Sequence, residues 1–153
     1  MGAVCCAATL LVLGGCSGTL SLEAPRLDGA AAKACATLVA DLPPRVDSQR
    51  RRDVDAGHGF GAAWGDPAIE LRCGVRRPAG LDAFAQCQVV DGVGWYIPDS
   101  QITGRPEDIT MTTVGRAEYV EVRVPRDYFP PAATMVDLAP AVKRSVKELR
   151  PCQ

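Results

Sequence analysis

The stretch ITMTTVGRAEYVEVRV (Ile109–Val124) decides the fold. In its second half Val120, Val122 and Val124 alternate with Tyr119, Glu121 and Arg123, a period of two that puts the valines on one face. Ile109–Val114 and Ala117–Val124 flank Gly115-Arg116, so the stretch predicts an antiparallel hairpin. The same signs appear upstream. Gln86–Val90 and Val93–Ile97 flank Asp91-Gly92, a strong two-residue hairpin signal. Val93, Trp95 and Ile97 share a face, as do Cys87 and Val89. After the turn at Asp66-Pro67, Ile69, Leu71 and Cys73 alternate with Glu70 and Arg72. Together these segments predict about five strands.

Helices bracket the strands. Leu27, Ala31, Ala34, Cys35, Leu38 and Leu42 recur at spacings of three and four, with Asp28 as N-cap and Pro43-Pro44 as terminator. At the other end Leu138, Val142, Val146 and Leu149 form a stripe, with Asp137 as cap and Pro140 in the first turn. Lys143, Arg144, Lys147 and Arg150 cluster at its C-terminal end, where the helix dipole favours cations. Arg45–Gly61, with Arg50-Arg51-Arg52, reads as a polar loop balanced by Asp47, Asp53 and Asp55. The expectation is an α+β domain: an antiparallel sheet with an N-terminal and a C-terminal helix packed on one face.

The N-terminus points to export. Gly2–Gly15 carries no charge and is too short to span a bilayer, which needs about 20 residues. Leu13-Gly14-Gly15-Cys16 reads as a lipoprotein signal in which Cys16 is lipidated and becomes the new N-terminus. Export signals open with Lys or Arg, whereas Met1 is followed by Gly-Ala-Val-Cys-Cys, so translation is expected to start upstream. The expected organisation is a signal peptide over 1–15, a lipidated tether over 16–26 and one domain over 27–153. The location is the outer face of the cytoplasmic membrane, with secretion as the alternative.

The cysteine count of seven fits this reading. Cys5 and Cys6 leave with the signal and Cys16 takes the lipid. Cys35, Cys73, Cys87 and Cys152 remain, an even set that in an oxidising compartment predicts two disulfides. The favoured pairing is Cys73–Cys87 and Cys35–Cys152. No metal site is expected, since there is no C-x-x-C pair and His58 is the one histidine.

Chemistry-bearing motifs are sparse. There is no G-x-S-x-G, no H-E-x-x-H and no Gly-rich loop with a lysine. The net charge of −1 gives no electrostatic case for nucleic acid. His58, in Gly57-His58-Gly59, is a candidate general base, with Asp66 or Glu70 as carboxylate partner in a small hydrolase. Trp64, Tyr96 and Arg116, with His58, are the candidate ligand-binding residues, aromatics for stacking and a cation for an acidic group. A small-ligand carrier would need an apolar pocket with convergent polar groups. The expected role is a binding or scaffolding accessory without catalysis or cofactor. Its expected contacts are the membrane, through the lipid, and an envelope protein or cell-wall component.

Four segments carry a resemblance: GAAWGDPAIELRCG (Gly61–Gly74), GVGWYIPDSQITGRP (Gly92–Pro106), TMTTVGRAEYVEVRVP (Thr110–Pro125) and MVDLAPAVKRSVKELRPC (Met135–Cys152). Together they resemble an actinobacterial family of exported proteins, the domain of unknown function 3515. The resemblance spans about Leu27 to Cys152 and implies an envelope location, often with a lipoprotein signal. It implies no catalytic residues.

Overall fold

A computed structural model describes residues 19–82 and 84–152. The segment read as an export signal, residues 1–15, and Cys16 lie outside the described residues. In chain order the elements begin with β1 (Leu20–Ser21), α1 (Gly29–Asp41), β2 (Arg45–Val46), β3 (Gln49–Arg52), β4 (Val54–Asp55) and β5 (Gly61–Trp64). They continue with β6 (Ile69–Val75), β7 (Gln88–Val90), β8 (Val93–Tyr96), β9 (Ile109–Val114), β10 (Tyr119–Val124) and α2 (Ala132–Ser145). The main sheet runs β2-β3-β5-β6-β10-β9-β8-β7, every neighbour antiparallel, and β1 pairs with β4 in a small parallel sheet.

The sheet therefore has eight strands, not five. The additional three lie in and just after the segment read as a polar loop. β2 and β3 are joined by Asp47-Ser48, both in the left-handed region (φ +48° and +64°), a two-residue turn that matches hairpin twist. These two strands, at one end of the sheet, are largely polar and carry no apolar alternation. β5 reads Gly-Ala-Ala-Trp and is buried on both faces, so small residues replace the alternating pattern.

Both helices pack on one face, as expected. Leu38 from α1 and Leu138 and Val142 from α2 meet Trp64, Leu71, Trp95, Met111 and Val122 of the sheet in one core. α1 matches its expected span, although the Asp28 side chain makes no cap hydrogen bond. α2 begins five residues before Asp137, because Thr134 and Met135 extend its buried face backward. Pro140 thus lies inside the helix rather than in its first turn. It is exposed, as is Val136, whose carbonyl loses its helical donor on the water-facing side. The helix ends at Ser145, so Leu149 is not part of its stripe and is exposed.

Past α2 the chain wraps around the β9–β10 turn. Gly115 (φ +71°) accepts from Leu149 N (2.7 Å) and Arg150 N (2.9 Å), and a Cβ there would run into the Arg150 backbone. The wrap carries Cys152 to the sheet face opposite the helices, where it lies against Gly94.

The disulfides are Cys35–Cys73 (Cα–Cα 5.5 Å) and Cys87–Cys152 (6.2 Å), not the expected pairing. The reason is register. Asp91-Gly92 pairs Val90 with Val93, which puts Val89 opposite Gly94, away from Trp95. Cys87, two residues from Val89, therefore belongs to the face without helices, whereas Cys73 lies in the helix-side core. One disulfide staples each face.

The expected tether is partly docked. Leu20–Ser21 pairs with Val54–Asp55, and Leu22 is buried with Ala56 and Ala63.

Candidate functional site

The face of the sheet opposite the helices is covered at both ends and open between. At one end Leu22 and β4 cover Ala63. At the other, Cys152 lies on Gly94, and the Tyr96 hydroxyl lies so close to Gly80 that a Cβ there would collide with it. Strand register aligns Gly61, Arg72, Glu121, Thr112 and Tyr96 in one row across this face. At its centre Arg72 Nη2 donates to Glu121 Oε1 at 2.6 Å.

Beside this pair is a shallow cavity of about 710 Å3, walled by Arg26, Leu27, Arg72, Gly74, Arg76 and Glu121. Arg26 links it to a neighbouring hollow that includes His58, and Arg26 Nε donates to His58 Nε2 at 3.2 Å. That bond requires Nε2 to be unprotonated, with the ring proton on Nδ1. The groove carries charge of both signs on an open surface.

The residues singled out on sequence do not converge. Trp64 is fully buried in the core and its Nε1 donates to Pro43 O at 3.0 Å. Tyr96 is buried on the opposite face beneath Gly80, so neither aromatic offers a stacking surface. Trp95 and Tyr96 take opposite faces and both are covered, Trp95 by the helix-side core and Tyr96 by Gly80.

Arg116 is 7% exposed. Its Nη1 donates to Val146 O (2.8 Å), its Nη2 donates to Gly92 O (3.1 Å) and Glu148 lies 3.5 Å away. Burial lowers its pKa, and Glu148 partly offsets this. It clasps the end of α2 to the β7–β8 turn. His58 is exposed, and its hydrogen-bond partner is a cation. Asp66 pairs with Arg52 at 3.5 Å, and Glu70 lies on β6 opposite Ala63 and Arg123. Among the described residues, no hydrogen bond or ion pair joins His58 to either carboxylate.

The arginine triplet is also mainly structural. Arg51 donates to Val39 O (3.1 Å) and Leu42 O (3.4 Å), capping α1, and lies 6.0 Å from the Trp64 ring centroid. Arg52 donates to Gly65 O at 2.9 Å.

A second, apolar cavity of about 230 Å3 lies where Ile97 and Ile109 meet the start of α2. Sequence reading did not name its lining. The positions are scattered over three segments, and only tertiary contact brings them together.

Fold and surface define the class: a disulfide-stapled α+β domain with one helix-covered and one partly open sheet face. A family model described as "Protein of unknown function (DUF3515)" matches residues 2–150, and the chain belongs to that family. No curated protein and no solved structure matches it.

Proposed function

We propose that this protein is a lipid-anchored extracytoplasmic module, held on the outer face of the cytoplasmic membrane through Cys16. There it acts as a non-catalytic binding or scaffolding accessory for an envelope protein or cell-wall component. The observation that carries the reading is the pairing of Cys35, Cys73, Cys87 and Cys152 into two disulfides. Such bonds persist in oxidising compartments and are rare in the cytosol. With Cys5 and Cys6 removed and Cys16 lipidated, no cysteine is left over.

The position of β1 supports a short anchor. Leu20 is four residues after Cys16, and an extended chain spans at most about 3.6 Å per residue, so lipid and domain lie no more than roughly 14 Å apart. A diacylated cysteine holds stably where a single acyl chain holds marginally. The β1–β4 end would then face the bilayer, leaving the β7–β8 end free for a partner. The hydrolase reading with His58 and Asp66 or Glu70 gains no support, because among the described residues no hydrogen bond or ion pair joins His58 to either carboxylate.

Growth of the producing cells with an alkyne-bearing fatty acid tests the anchor. Wild-type protein should carry the label and sediment with membranes, and Cys16→Ser should lose both. Label retained by Cys16→Ser would overturn the assignment. Photo-crosslinking in living cells tests the second half, and recovery of no envelope component would count against a scaffolding role.

A further inference from the structure

We propose that the apolar cavity between the β7–β9 end of the sheet and the start of α2 binds a small uncharged molecule, one six-membered ring or its equivalent bearing a single hydrogen-bond-accepting group. Val90, Ile97, Ile109, Phe129 and Met135 form its walls. Gln88, Ile102, Gly104, Pro130 and Ala132 are its exposed lining and mark the mouth. At about 230 Å3 it exceeds the roughly 150 Å3 apolar cavity that admits a benzene ring. A guest of matching size removes the apolar walls from water and gains dispersion contacts with them.

The lining also sets the guest's charge. It holds no Asp, Glu, Lys, Arg or His. A charged guest would lose hydration without a counter-charge to replace it. The polar side chains present are the amides of Gln88 and Gln101. Gln101 Oε1 accepts from Thr110 N at 2.8 Å, which orients that amide and leaves its NH2 as the donor. An apolar pocket with a few placed polar groups is the usual form of a small-molecule site. This site belongs to the domain and does not depend on the anchor at Cys16.

Titration of the isotopically labelled full chain carrying Cys16→Ser, followed by amide chemical shifts, tests this. Cyclohexanol should give saturable shifts confined to residues 88–90, 97–109 and 129–135, with a Kd of about 1 mM or below. Cyclohexanecarboxylate, with the same ring but a negative charge, should bind at least about 10-fold more weakly. Ala132→Trp adds an indole at an exposed mouth position and should weaken cyclohexanol about 10-fold or more. Ile102→Trp, on an exposed loop, should do the same by an independent route and serves if the first variant misfolds. Shifts that do not saturate or that spread over the surface would overturn the site. Equal binding of the carboxylate would overturn the assigned chemistry. Unchanged affinity in both folded variants would overturn the location.

Discussion

Arg116 shows how one residue can look functional in sequence and serve the fold. A lone arginine beside a hairpin glycine offered a cation to a ligand. In the structure its two Nη groups bond the carbonyls of Val146 and Gly92, so it is consumed internally. Arg116→Met should destabilise the domain by about 2–3 kcal/mol in denaturant unfolding, because two carbonyls lose charged donors. Hydrogen exchange should rise locally at residues 115–118 and 147–150. Unchanged stability would argue for a free, ligand-facing cation.

Asp47 makes the opposite case. Partial burial, and then the neighbouring Asp137, raise its pKa. Its folded-state pKa exceeds its unfolded one, so protonation favours the folded state and the charged form opposes it. The favourable contribution is present below the unfolded pKa of about 3.9 and lost as pH rises through the folded value. Asp47→Asn should therefore stabilise the protein near neutral pH by on the order of 0.5 kcal/mol. Asparagine also suits the left-handed backbone at this position. The gain should vanish in thermal melts below about pH 4, and a gain independent of pH would refute the charge argument.

At the scale of elements, the two disulfides differ in access. Cys35 and Cys73 are fully buried between α1 and β6, whereas Cys87 and Cys152 are half-buried on the other face. Limited dithiol treatment followed by alkylation should label Cys87 and Cys152 first. Equal labelling of all four would contradict the placement. With separations of 38 and 65 residues, each bond contributes about 4 kcal/mol in the chain-entropy model. Pairing Cys73 with Cys87 and Cys35 with Cys152 would sum to nearly the same total, so loop entropy does not choose the pairing. The register could have chosen it. Asp91-Gly92 demands that Val90 meet Val93, which sends Cys87 away from Trp95. The turn is legible in the sequence, whereas the position of Cys152 against that face is set by the C-terminal wrap. β2 and β3 are illegible for a different reason: they are two and four residues long, and their largely polar residues, Arg45, Gln49, Arg50, Arg51 and Arg52, show no apolar alternation.

At the scale of the whole molecule, the alternating valines of β10 and the apolar stripe of α1 are local patterns, readable because burial on one face imposes a period. They establish an α+β sheet domain with helices on one side, and the sequence supplies an even set of four cysteines after Cys16. Which cysteines pair, which aromatics are covered and where cavities lie depend on contacts between segments far apart in the chain. The groove at Arg72 and Glu121 needs the β6–β10 register, and the apolar cavity needs three segments to meet. Period reports which face a residue takes, and only packing of the elements decides what meets that face.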